Sequence, residues 1–145
     1  MRKVTLMLLT ALSLVGFVGA ATAQNKNNVP PKIAAYVAKH FPNNPIVEFE
    51  KESDNGRVKY EVELQDGTEI EFDHRMNVIE IESGADDRPL PNSVVPKAIL
   101  RYVKNKHSNN FIIKWEREKR GYDVKLNNDL ELEFDSKGRF IRYDD

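Results

Sequence analysis

The sequence predicts an α+β fold: two tandem α-β-β-β-β repeats, forming an antiparallel meander in one or two sheets, with both helices packed on one face and the other face open. Three observations predict it. The chain repeats itself, at an offset of 66 residues from Val29 to Glu52 and of 62 from Tyr60 to Glu82. Each copy begins with apolar residues at helical spacing and continues with four runs of apolar and polar alternation. The runs are separated by turns too short to hold a crossover helix, so neighbouring strands run antiparallel.

A leader precedes the repeats. Arg2 and Lys3 are followed by a largely apolar run to Gly19 and by Ala21-Thr22-Ala23, the pattern of a signal peptide over 1–23 cleaved before Gln24. The apolar run is shorter than the roughly 20 residues a membrane span needs. Residues 24–28 are then a short tail, 29–82 the first repeat, 83–91 a connector and 92–145 the second repeat. No other apolar run is long enough to cross a bilayer, so the expected location is exported, periplasmic or secreted. Removing Arg2 and Lys3 leaves 20 Lys and Arg against 23 Asp and Glu, a net charge of −3, which gives no basic footprint for nucleic acid. With no cysteine in 145 residues, an exported chain must hold itself together by packing alone.

In the first copy Ile33, Tyr36, Val37 and His40/Phe41 follow the i, i+3, i+4, i+7 spacing of one buried stripe, matched by Val95, Ile99, Tyr102 and Val103 in the second. Asn27 or Asn28, and Asn92 or Ser93, are the expected N-caps. Pro30, Pro31 and Pro96 belong in first turns. Pro42 and Asn109-Asn110 lie beyond the helix ends. Strands are expected over 46–52, 57–64, 68–73 and 77–82, then 111–118, 121–127, 130–135 and 139–143. The turns between them carry Asp54-Asn55-Gly56, Asp66-Gly67, Arg120-Gly121, Asn127-Asn128-Asp129 and Ser136-Lys137-Gly138, of which Asp66-Gly67 is the clearest hairpin signal.

Alternation divides the strands into two faces. Val47, Phe49, Val58, Tyr60, Val62, Leu64, Ile70, Phe72, Ile79 and Ile81 share one parity, as do Ile113, Trp115, Tyr122, Val124, Leu126, Leu132, Phe134, Ile141 and Tyr143. That face should meet the helices. The other parity carries 17 acids, from Glu48 to Asp144, against four bases, Lys59, Lys114, Lys125 and Arg142. Such a face is either a solvated surface that keeps the protein soluble, or a docking surface, since crowded like charges oppose folding. Glu61, Glu63, Glu69, Glu71, Glu131 and Glu133 are the candidate centre of that surface. Ile46, Val78, Ile112 and Phe140 fall by parity on the acidic face, where they would anchor a partner unless a bulge turns them inward.

Catalytic signatures are absent from the sequence. His40 and His107 fall near helix ends and His74 in a turn, without the i, i+4 spacing of a zinc helix. The serines sit in turns, connectors and caps with no nucleophile elbow. No glycine-rich phosphate loop occurs, and Asn127-Asn128-Asp129 reads as a hairpin rather than a calcium loop. Trp115 shares the core parity of Phe49. No enzyme activity, cofactor or metal site is expected.

Leu90-Pro91, Val95-Pro96, Ile99, Tyr102-Val103, Tyr122-x-Val124-x-Leu126 and Leu132-Glu133-Phe134-Asp135-Ser136-Lys137-Gly138 give the second copy its character. The run from Val62 to Asp73 does the same for the first. On these residues the chain resembles the PepSY-like, beta-lactamase-inhibitor-like family of exported bacterial proteins. The resemblance covers nearly all of 28–145 and implies a tandem helix-plus-four-strand repeat. It also implies a protein that binds or inhibits another protein, a secreted hydrolase among the candidates, and it brings no catalytic residues. The chain departs from the pattern at Met76-Asn77, where the second copy has Gly138-Arg139, and at the glycine-free Asn127-Asn128-Asp129 hairpin. The expected function is a non-catalytic binding module whose acidic face engages another envelope or secreted protein. The alternative is an envelope protein that binds or senses a small ligand or cation such as calcium or a polyamine.

Overall fold

The computed structural model describes residues 28–54 and 56–144. The expected leader, its cleavage site and tail residues 24–27 lie outside them. The elements run helix α1 (Pro31–His40), strands β1 (Ile46–Asp54), β2 (Arg57–Leu64), β3 (Glu69–Phe72) and β4 (Val78–Glu82), then helix α2 (Lys97–Lys106), and β5 (Ile112–Glu118), β6 (Gly121–Leu126), β7 (Glu131–Asp135) and β8 (Phe140–Asp144). A short 3-10 turn, Asn92–Val94, precedes α2. All eight strands form one antiparallel sheet in sequence order, because β4 pairs with β5 and joins the two halves. The sheet is open, with β1 and β8 at its edges.

Both helices lie on one face. Ile33 and Val37 of α1 and Ile99 and Val103 of α2 share one buried cluster with Val62, Leu64, Ile70, Phe72, Ile81, Trp115, Val124, Leu126, Leu132 and Phe134. Tyr36 meets Phe72 edge-on at 5.7 Å between ring centres, and Tyr102 meets Phe134 in the same way at 5.4 Å. No helix among the described residues is long and apolar enough to cross a membrane.

The expected N-caps are not used. Pro30 and Pro96 occupy the cap positions with no side-chain hydrogen bond, and their carbonyls accept the first helical bonds from Ala34 and Leu100, both at 3.0 Å. Proline suits the place because its fixed φ leads into the helix and the amide it lacks would have had no intrahelical partner.

The parity assignment needs correcting in the first and last strand of each half. The register skips one residue at Val47, Ile79, Ile113 and Ile141, each a β-bulge. A bulge adds a residue to one strand and reverses its alternation from that point. Ile46, Val78, Ile112 and Phe140 therefore pack with the core and are not anchors on the acidic face. Of the bulged residues, all expected inside, Ile113 is buried, Val47 and Ile79 are half-buried outside the core cluster, as is Val58, and Ile141 is 55% exposed. Tyr143 is also 44% exposed at the β8 edge, although its hydroxyl reaches His107 Nε2 at 3.3 Å.

The two departures in the turns leave the backbone unchanged. Met76 takes φ 61° where Gly138 takes 75°, and Asp129 takes φ 65° where Gly67 takes 83°. Both copies need a left-handed residue to close these hairpins.

Candidate functional site

The sheet face opposite the helices is built of ladders of charge. Cross-strand register lines up Glu50, Glu61, Glu71, Glu80, Glu116, Asp123, Glu133 and Arg142, one residue from each strand in order. Seven successive members of that rung are acids. A second rung runs Glu48, Glu63, Glu69, Glu82, Lys114, Lys125, Glu131 and Asp144. Between them on the helix side lies the apolar rung Phe49, Val62, Ile70, Ile81, Trp115, Val124, Leu132 and Tyr143. The period-2 alternation of each strand thus becomes two acidic rows flanking one greasy row on the other face.

Side chains directly opposite in a ladder stand about 5 Å apart, so like charges there are unfavourable. The carboxyls respond. Glu61 is pushed up to about 7, chiefly by burial, then by Glu71, Glu69, Glu52 and Glu50. Burial also raises Glu69, Glu116 and Asp123, helped by acidic neighbours, Glu82 and Glu63 for the first, Glu80 for the second and Glu118 for the third.

The bases on this face are bound to it. Lys59 Nζ donates to Glu71 at 2.9 Å, which holds the lysine above its ordinary pKa. Lys114 Nζ bridges Glu80 at 2.6 Å and Glu82 at 2.8 Å. Burial works against that ammonium, but its two carboxylate partners outweigh the cost and raise its pKa. Arg142 grips Glu133 with two hydrogen bonds, Nε to Oε2 at 2.8 Å and Nη2 to Oε1 at 2.6 Å. Lys125 reaches Asp129 at 3.2 Å. The lysines and Arg101 of the helices, Lys32, Lys39, Lys97, Lys104 and Lys106 among them, are exposed at the other side of the molecule.

All six candidate residues lie on this face, but they do not form one cluster. Glu61 faces Glu71 and Glu63 faces Glu69 across β2 and β3. Glu131 and Glu133 sit on β7, with three strands between them and β3. Glu133 is held by Arg142, and Glu131 stands opposite Lys125. The residues that connect the two groups, Glu80, Glu116 and Asp123, were not among the candidates. Their acidity and parity are visible in the sequence, but only the β4–β5 pairing puts them in line.

An open cleft of about 320 Å³ lies on the same face over the second half, where Glu82, Lys114, Glu116, Asp123, Lys125, Glu131, Glu133 and Asp144 converge. Among the described residues no group of three or more His, Asp or Glu is placed to hold a metal ion. The arrangement offers many weakly separated carboxylates over a broad surface rather than a closed coordination shell.

The chain is similar to the structure of a "putative periplasmic protein of unknown function" from Bacteroides vulgatus, with a TM-score of 0.74 and 31% identity over 82% of this chain and 94% of that one. It is equally similar to a "putative calcium-regulated periplasmic protein" from Bacteroides thetaiotaomicron, with a TM-score of 0.74 and 31% identity over 83% of this chain and 93% of that one. No curated protein sequence matches it. Residues 21–80 and 58–142 each match the family described as "Putative beta-lactamase-inhibitor-like, PepSY-like", so the chain belongs to the PepSY-like family.

Proposed function

We propose that this protein is an exported, non-catalytic binding module, built as two copies of one unit, whose acidic sheet face docks a cationic protein surface. The observation that carries this reading is the rung of seven carboxylates from Glu50 to Glu133. Solubility alone is served as well by interspersed charges, which would avoid the repulsion that adds to burial in lifting Glu61 to about 7. A basic partner turns that repulsion into attraction, steers encounter and makes association salt-sensitive. Export and a periplasmic location are supported by the leader and by the names of both similar structures. Matched family hits and bulges at equivalent strands support the two-copy reading.

Reversing Glu69 and Glu71 to lysine tests it. Both variants should still fold, although Glu71→Lys gives up the ion pair with Lys59, capture the partner from periplasmic extract more slowly, and lose the salt dependence of capture. Recovery of the same proteins at the same rate rejects the face as the site.

A second reading, multivalent cation binding, is favoured by the calcium-regulated description of the Bacteroides thetaiotaomicron protein. A melt with millimolar calcium separates the two. Specific ligation raises the melting temperature by mass action, whereas general screening is reproduced by sodium at matched ionic strength.

A further inference from the structure

The two exposed large hydrophobic side chains among the described residues, Ile141 and Tyr143, both lie on β8, the open edge of the sheet. An edge strand with exposed apolar residues is a template for another strand. The sequence offsets identify that strand. At offset 62, β8 corresponds to β4, and at offset 66, β1 corresponds to β5. Within the chain β4 and β5 are already paired, through Glu80 with Glu116, Ile81 with Trp115 and Glu82 with Lys114. The same register applied to β8 and β1 sets Arg142 against Glu50, Tyr143 against Phe49 and Asp144 against Glu48.

We propose that β8 of one copy of this chain pairs antiparallel with β1 of a second copy, in the register that β4 and β5 use inside the chain, so that copies join head to tail.

Two features support this occupant. The apolar rung begins at Phe49 and ends at Tyr143, so pairing continues it across the junction and covers Tyr143. One opposite-charge pair forms, Arg142 with Glu50, and it offsets the acid pair Asp144 with Glu48. Inside the chain one base, Lys114 on β5, bridges two acids of β4. Between copies the base is on the other side: Arg142 on β8 meets Glu50 directly and Glu48 diagonally on β1. Pairing β1 with a second β1 would instead bring glutamates together. A head-to-tail contact of this kind does not close on itself at two copies, so assembly grows with concentration.

The inference concerns the two edges of the sheet, where the acidic rungs end, and the purified protein alone tests it, so its failure leaves the docking proposal standing. Sedimentation velocity over a rising concentration series should show species larger than dimer. Arg142→Glu, which also gives up the bonds to Glu133 within the chain and so is compared at matched melting temperature, should weaken association about tenfold, and so should Glu50→Arg, a change that relieves like charge in the monomer. The double variant, which restores an opposite-charge pair, should recover the parent's association. A monomer at millimolar protein overturns the proposal. So does a dimer that grows no further, which would signal β8 against β8, or a double variant no better than Arg142→Glu.

Discussion

Glu61 stands directly across from Glu71 on the β2–β3 ladder, with Glu50 on its other side. Partial removal from water, reinforced by carboxylates on both sides, explains why the middle one holds its proton near neutrality. The open face thus stores repulsion in the native state, relieved by protons or by cations.

Stability should rise on mild acidification. Glu61 titrates at about 7 in the fold against 4.5 ordinarily, so the native state binds the proton more tightly than the unfolded chain. Its contribution is full below about 4.5 and is lost as pH rises through about 7. Glu69, Glu116 and Asp123 act in the same direction. Asp66 and Asp73 act oppositely: their backbone and side-chain hydrogen bonds overcome burial and lower their pKa, so their stability is lost as pH falls through that lowered range. The melting temperature should therefore be higher at pH 5 than at pH 8. Glu61→Gln should add about 1 kcal/mol at pH 8, a figure kept small because the side chain is partly solvated, and should flatten the profile. Equal melting temperatures at the two pH values would contradict this account.

Lys114 should secure the junction between the halves. Removing it leaves Glu80 and Glu82 without the charge that bridges them. Lys114→Met should cost about 1–2 kcal/mol and hasten amide exchange at Ile81 and Trp115 ahead of the rest of the sheet. Lys114→Arg should recover most of the loss.

The bulge in β8 predicts opposite outcomes for neighbouring residues. Phe140 stacks on Tyr102 at 4.7 Å and meets Phe134 edge-on at 5.9 Å, so Phe140→Ala should cost about 2–3 kcal/mol. Ile141 is 55% exposed, and Ile141→Ala should change little. Denaturant midpoints of the two variants distinguish the bulged register from uninterrupted alternation, which predicts the reverse order.

Gly84 is required by contact rather than by dihedral angle. A Cβ there would meet the Asp66 carbonyl oxygen and come within 2.6 Å of the Gly67 carbonyl carbon, where the connector crosses the β2–β3 turn. Arg88 closes the same contact through Asp66 at 2.9 Å. Gly84→Ala should destabilise by about 2 kcal/mol, whereas Asp129→Gly, which removes a side chain from a left-handed position, should stabilise by several tenths of a kcal/mol. Chemical denaturation measures both.

The number, order and approximate limits of the elements were legible in the sequence, because turn residues and periodicity are local properties. Even the bulges left a trace: the apolar doublets Ile46-Val47, Val78-Ile79, Ile112-Ile113 and Phe140-Ile141 interrupt strict alternation in the first and last strand of each copy. A doublet says that parity breaks but not which member goes inside. That choice depends on where the helix sits over the sheet. The acidic face was legible for the same reason as the core face, as its complement, while the six residues singled out on it proved to belong to two separated stretches of longer rungs.

The sequence by itself determined the helices, the eight strands, their antiparallel sense and the segregation of carboxylates from apolar side chains, since each follows from neighbours along the chain. Only the tertiary structure decided that β4 pairs with β5 and fuses two four-stranded units into one sheet. That pairing joins residues more than thirty positions apart, from Glu82 to Lys114, through a connector and a helix, and no local pattern encodes its register. It is also what turns two acidic patches into continuous rows, because charges on separate strands act together only once hydrogen bonding has brought their backbones side by side.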